Sequence, residues 1–122
     1  MIVVTGGAGC IGSAIVWALN KRGITDIILV DATDHPEKEK NIASLDYFAL
    51  EHKDVFLNYI TNLTMPWTVD AIIHMGGCSS TIERDETFLM ENNFNYTKHL
   101  ATYALNKDIR FIYASSAATY GA

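Results

Sequence analysis

Eight residues near the amino terminus, Thr5-Gly6-Gly7-Ala8-Gly9-Cys10-Ile11-Gly12, constrain what this chain can fold into more than any other stretch. They follow a short β-branched run, Ile2-Val3-Val4, and open a segment in which Ile11, Ile15 and Leu19 recur one helical turn apart. That segment closes on Lys21-Arg22 and then Gly23, a basic last turn followed by a residue free to take a left-handed stop. A strand that feeds a helix through glycines has specific physical uses for them. Glycine lets the chain turn sharply, lets backbone approach a pyrophosphate, and lets helix pack directly on strand. The helix start then offers unpaired N–H groups and a partial positive charge to an anion. Gly6, Gly7, Gly9 and Gly12 are therefore expected to form a phosphate-binding loop.

Local phosphate binding matters because the chain as a whole is acidic. Its 14 Asp plus Glu outnumber 9 Lys plus Arg, giving a formal charge of −5. Such a surface does not attract nucleic acid or anionic membrane by bulk charge. No apolar run approaches the roughly 20 residues that span a bilayer. Two cysteines, Cys10 and Cys78, without a CxxC pair or a secretory leader pattern, point to a reducing, cytoplasmic setting. Buried small-residue packing is the expected role of both.

Further apolar runs at Ile27-Ile28-Leu29-Val30, Ala71-Ile72-Ile73 and Phe111-Ile112-Tyr113 are continuous where a one-sided strand would alternate, so they read as strands buried on both faces. A weaker strand is placed near Tyr47 to Leu50. Helical spacing covers about Lys53 to Ile60 and about Asp85 to Asn106, the latter with Leu89, Tyr96, Leu100 and Tyr103/Ala104 on one stripe. Alternating strands and helices make an α/β fold, a Rossmann-like doubly wound parallel sheet with right-handed crossovers. At 122 residues there is length for one domain. The last strand ends near Ser115 and leaves a hydrophobic strand at or near the sheet edge, which natural proteins usually cover. We therefore expect residues 1–122 to be an NAD(P)-binding domain truncated after the fifth strand, the first portion of a longer protein.

Asp31 closes the second strand, 19 residues after Gly12, where such a fold sets a carboxylate on the adenosine ribose hydroxyls. Alone it favours NAD. Lys38, Lys40 and Lys53 follow, and two of them turning inward would meet a 2′-phosphate, whereas a solvated charged loop at Glu37-Lys38-Glu39-Lys40 would not. The fourth strand runs into His74-Met75-Gly76-Gly77-Cys78-Ser79-Ser80, small residues at the switch point where ligands bind in open α/β sheets. His74 and Cys78 lack the clustered partners of a zinc site. Asn92 and Asn93 interrupt the long helix, and a buried amide there needs a partner, either a neighbouring loop or a cofactor.

The chain closes on Tyr113-Ala114-Ser115-Ser116-Ala117-Ala118-Thr119-Tyr120-Gly121. With TGGxGxxG, the strand-end Asp31 and the helical Asn-Asn, this resembles the extended short-chain dehydrogenase/reductase family. MIVVTGGAGCIGS, GITDIILVD, GCSST, ENN and YASSAATYG are similar to its heptose 6-epimerases, which act on ADP-linked glycero-manno-heptose for the lipopolysaccharide core. The resemblance implies an isomerase holding NADP, with NAD as the alternative, that takes hydride from C6 of the nucleotide sugar and returns it to the other face. It implies Ser116 as the catalytic serine, supported by Ser115. It places Cys10 and Ile11 at the pyrophosphate, Asp31 and Ala32 at the ribose, and Lys38 and Lys53 on the adenosine phosphate side. Met75, Gly76, Gly77, Cys78, Ser79 and Asn92 line the rest. The chain departs from the family's usual aromatic residue at Cys10, Asn at Ala32 and Glu at Met75.

These enzymes also use a Tyr-x-x-x-Lys pair after the serine, the lysine lowering the tyrosine pKa for proton exchange. Tyr103-Ala-Leu-Asn-Lys107 fits the spacing but precedes the serine and ends a helix, at the sheet edge opposite the glycine loop. The pair is expected beyond residue 122, together with a substrate domain, so residues 1–122 alone are expected to be inactive and the full-length protein to be a homo-oligomer. Two other readings stay open at this point: a UDP-hexose 4-epimerase or dehydratase, and a non-catalytic NAD(P)-binding module.

Overall fold

The computed structural model of the chain describes residues 1–32, 36–76 and 86–115. Nine elements alternate along them: β1 (Ile2–Thr5), α1 (Cys10–Lys21), β2 (Ile27–Asp31), α2 (Pro36–Ile42), β3 (Ala49–His52), α3 (Lys53–Thr61), β4 (Ala71–Gly76), α4 (Glu86–Asn106) and β5 (Arg110–Ser115). All strand pairings are parallel, and the sheet order is β3-β2-β1-β4-β5. The chain builds outward from β1 to β3, returns to the far side of β1, and continues to β5. The expected doubly wound parallel sheet is what forms.

Period-two alternation explains why the strand sequences are apolar without interruption. Val3, Ile28, Val30 and Ile72 point to one face and pack with Phe56 and Ile60 of α3 and Leu100 and Ala104 of α4. Val4, Ile27 and Leu29 point to the other, against Ala8, Val16 of α1 and Ile42 of α2. Each fully buried Val, Ile or Phe in these layers contributes about 1.5–3 kcal/mol relative to exposure. β5 breaks the rule, since Ile112 and Tyr113 are about half exposed at the sheet edge (49% and 48%). Burial on both faces holds for the inner strands only.

Three local readings change. The weak strand lies at Ala49–His52, two residues later than the expected Tyr47 to Leu50, and its alternating burial is that of an edge strand. The charged stretch around Lys38 and Lys40 is a helix, α2, and not a loop. In α1 the buried line is Gly12 and Val16, while Ile11 is exposed and Ile15 and Leu19 are half-buried. The glycine loop brings α1 down so closely that the face starting at Gly12 meets the sheet.

Helix α1 ends as its sequence promises. Gly23 has φ +81°, and Gly23 N–H donates to Asn20 O while Ile24 N–H donates to Leu19 O. The same stop recurs without glycine: Leu63 (φ 55°) follows α3, with Thr64 N–H on Tyr59 O, and Asp108 (φ 57°) follows α4, with Ile109 N–H on Ala104 O. Leu63 is mostly exposed. Leu63→Gly should therefore relieve left-handed strain, losing little packing, and raise stability by about 0.5–1 kcal/mol in urea denaturation.

Candidate functional site

The carboxyl ends of all five strands share one edge. The registers set Thr5 beside Val30 and His74, Asp31 beside His52, and Gly76 beside Ser115. The glycine loop, Asp31-Ala32, the start of α3 and Met75-Gly76 therefore meet there, at the crevice where the winding direction reverses on either side of β1.

Three of the loop glycines are demanded by the protein itself, Gly7 among them because a Cβ there would lie 2.9 Å from Leu29 Cδ2 and 3.0 Å from Val4 O. Gly6 takes φ +67°, and a Cβ there would lie 2.9 Å from Met75 O. At Gly12 a Cβ would fall 2.0 Å from Gly6 O, an impossible overlap. Gly9 is different, because its Cβ would meet only Gly6 O at 3.4 Å. Its bare Cα borders space that the protein does not fill. Gly9 is also the N-cap of α1, with no side-chain cap and no acidic residue in the first turn. The first N–H groups of the helix thus lack the usual partners. Helix α3 supplies the contrast within the same molecule: the His52 side chain accepts from Asp54 N–H, and Asp54 sits in the first turn. An uncapped, glycine-opened helix start fits the phosphates of a dinucleotide.

Asp31 is buried and engaged. Its Oδ2 accepts the Ala8 N–H at 3.0 Å, and its Oδ1 accepts the Ala32 N–H at 2.7 Å and Lys38 Nζ at 2.9 Å. Lys38 also donates to Ala32 O at 2.7 Å. The carboxylate thus ties the glycine loop to the end of β2, and helix α2 turns Lys38 inward onto it. Lys40 stays on the exposed side. Asn41, on the same helix, donates to Ala8 O at 2.9 Å, so both polar groups of the Ala8 backbone are held. Sequence reading missed Asn41, which directly follows the charged stretch Glu37-Lys38-Glu39-Lys40 and has no spacing that links it to the glycine loop.

Lys53 opens α3 with its side chain exposed on the same edge, and its carbonyl accepts the Tyr96 hydroxyl at 3.1 Å. Burial, with Asp54 and Asp31 nearby, pushes the Tyr96 hydroxyl pKa well above its ordinary range. Cys10 is exposed at the helix start, which corrects the expectation of buried packing. Position explains it, since the first residue of α1 faces the crevice edge and not the sheet. Ile11 is likewise exposed. Gly77, Cys78, Ser79 and Ser116 lie outside the described residues, as does the side chain of Asn92. Tyr103 and Lys107 sit beside Ile109, Val69 and Trp67 at the amino-terminal edge of the sheet, away from the glycine loop, as their sequence position implied.

Residues 2–122 match the family model of the NAD dependent epimerase/dehydratase family. This chain belongs to that family. Among its relatives, ADP-L-glycero-D-manno-heptose-6-epimerase of Nitratidesulfovibrio vulgaris is 51% identical over 121 residues, covering 99% of this chain and 38% of the relative. The chain thus spans about two-fifths of that relative's length. The solved ADP-L-glycero-D-manno-heptose-6-epimerase of Helicobacter pylori matches with TM-score 0.74 at 25% identity, over 98% of this chain and 40% of its own. UDP-glucuronic acid 4-epimerase of Bacillus cereus, solved in complex with NAD, matches with TM-score 0.72 at 26% identity, over 99% of this chain and 41% of its own. No helix among the described residues of this epimerase/dehydratase-family chain is long and apolar enough to cross a membrane.

His74 is the feature sequence reading undervalued. It is buried at the end of β4, with Nδ1 on the Thr5 hydroxyl, Nε2 on the Thr97 hydroxyl at 2.8 Å, and its ring stacked near Tyr96, Phe111 and Tyr113. Burial lowers its pKa from 6.5 to about 4. The unfolded chain binds a proton near pH 6.5 and the folded one does not until about pH 4, so the stabilisation is complete above pH 6.5 and is lost as pH falls through that window. The full loss is about 3 kcal/mol. Urea denaturation from pH 7 to pH 4 should show the stability advantage of wild type over the non-titrating variant His74→Asn shrinking across this range.

Proposed function

We propose that this chain forms the cofactor-binding part of a nucleotide-sugar epimerase acting on ADP-glycero-manno-heptose, using NADP in preference to NAD, in lipopolysaccharide core synthesis in the cytoplasm. The observation that carries the dinucleotide reading is the uncapped start of α1 at Gly9, open toward the crevice beside Asp31. The sugar is argued from similarity to heptose 6-epimerases, 51% identical over 121 residues in one relative and 50% in another.

In this reading Gly6, Gly7, Gly9, Cys10, Ile11 and Gly12 hold the pyrophosphate, and Asp31, Ala32, Lys38 and Lys53 surround the adenosine ribose. Met75, Gly76, Gly77, Cys78, Ser79 and Asn92 complete the cofactor wall. When bound, the oxidised nicotinamide supplies a hydride acceptor for C6 of the heptose. Ser116 polarises the reacting oxygen, a role supported by the register that sets Ser115, its neighbour, beside Gly76. NADP is favoured because Lys38 neutralises Asp31, the carboxylate that would otherwise repel a 2′-phosphate. The protein is expected to work as a homo-oligomer on its nucleotide-sugar substrate.

Calorimetry of the full chain with NADP and NAD tests the first half. Tighter binding of NADP is expected, and absence of binding to either would overturn the reading. Assay of the full coding sequence with ADP-heptose and with UDP-glucuronic acid tests the second half, and turnover of the UDP sugar alone would reassign the substrate.

A further inference from the structure

The buried chain of hydrogen bonds through His74 has a direction that the structure makes readable. Thr5 is almost fully buried at the last position of β1, and its hydroxyl oxygen accepts the Met75 N–H at 3.1 Å. Its own proton then needs an acceptor, because a buried hydroxyl left without one costs about 1–3 kcal/mol. Among the described residues the acceptor in reach is His74 Nδ1. Nδ1 must therefore carry the lone pair and Nε2 the proton, which Nε2 gives to the Thr97 hydroxyl. The order is Met75 N–H to Thr5 O–H to His74, and His74 N–H to Thr97, joining β4, β1 and α4.

This chain lies directly beneath the glycine loop. Thr5 is the residue before Gly6, and the Gly6 Cα sits against Met75, so close that a Cβ would lie 2.9 Å from the Met75 carbonyl oxygen. The Gly6 N–H is tied to the other neighbouring strand through Val30 O at 2.7 Å. The turn of the loop is thus pinned between β2 and β4, and on the β4 side the pin is the Thr5 hydroxyl. We propose that neutral His74, as its Nε2–H tautomer, is a positioning residue: it orients the Thr5 hydroxyl onto Met75 N–H and so sets the glycine loop against the Met75-Gly76 wall of the cofactor crevice. The proposal rests on the dinucleotide reading above. Its stacked ring environment gives His74 a packing role as well, and the two roles separate by substitution. Phe keeps the stack and removes both hydrogen bonds. Asn keeps an acceptor near Nδ1. Thr97→Val cuts only the far bond.

The test measures dinucleotide affinity and thermal stability of the full chain for wild type, His74→Phe, His74→Asn and Thr97→Val, with long-range 15N–1H spectra of the wild-type imidazole. Expected are a protonated Nε2 and bare Nδ1, a loss of about tenfold in NADP affinity for His74→Phe, recovery of most of it in His74→Asn, and affinity within about twofold of wild type in Thr97→Val despite a lowered Tm. A protonated Nδ1 overturns the proposal even if His74→Phe fails to fold. Wild-type affinity in a folded His74→Phe overturns it too, leaving the dinucleotide reading intact. Absence of dinucleotide binding in wild type removes that reading and this proposal together.

Discussion

Gly12→Ala is expected to destabilise the chain by about 3 kcal/mol or more, while Gly9→Ala, three residues earlier, changes stability by less than about 1 kcal/mol and lowers dinucleotide affinity roughly a hundredfold. The two glycines look alike in the sequence motif and are opposite in physical cause. At Gly12 the added methyl would sit 2.0 Å from Gly6 O, and backbone on both sides leaves no flexible side chain to give way. Helix α1 would have to lift off the loop, uncovering Val16 and Ala8 from the core layer they share with Val4 and Leu29. At Gly9 the methyl meets one atom at ordinary contact distance, so the fold survives. Gly9 is the N-cap, so the methyl is placed next to the uncapped N–H groups of Cys10 and Ile11, where a phosphate approaches in the dinucleotide reading. Urea denaturation and calorimetry on both variants separate the effects. Equal loss of stability in the two would contradict the assignment of Gly9 to ligand approach, as would a stable Gly9→Ala that binds NADP and NAD like wild type.

That division marks where sequence stops being informative. The glycine loop, the inner strands and the stop of α1 at Gly23 were legible because they depend on local demands that few residues satisfy. The left-handed residues that close α3 and α4 were not, since Leu63 and Asp108 carry no such signal. Helix α2 was hidden for a related reason. Its stretch Glu37-Lys38-Glu39-Lys40 offers good helix formers but only Ile42 to the core, too little apolar periodicity to distinguish a short helix from a charged loop. Asp31 was legible by its distance from the loop, and Lys38 was left undecided, because direction inward or outward is settled by tertiary packing. His74 was the least legible. Its partners Thr5 and Thr97 lie 69 and 23 residues away, and no spacing rule connects a strand-end threonine to a mid-helix one.

Lys38 and Asp31 carry the second large effect, because one ion pair serves both stability and cofactor choice. Asp31→Ala removes the acceptor for Ala8 N–H, Ala32 N–H and Lys38 at once. The two amides and the ammonium are left in a largely enclosed place, since the Asp31 and Lys38 side chains are only 10% and 25% exposed. A loss of about 3 kcal/mol is expected, the range for breaking a buried pair from one side. Lys38→Met is milder for folding, since the methionine keeps the apolar stem, and a loss of about 1 kcal/mol is expected. Its effect on ligands is the larger one. Without the ammonium, Asp31 faces the adenosine ribose as an uncompensated carboxylate, which suits the two hydroxyls of NAD and repels the 2′-phosphate of NADP. NADP affinity should fall at least about thirtyfold, near 2 kcal/mol, with NAD affinity unchanged or improved. Parallel titrations of wild type and Lys38→Met with both dinucleotides decide it. An equal fall for NAD and NADP would mean that Lys38 only braces Asp31 and the loop, and a preference for NADP would then be sought in Lys53, a second cation on that edge among the described residues.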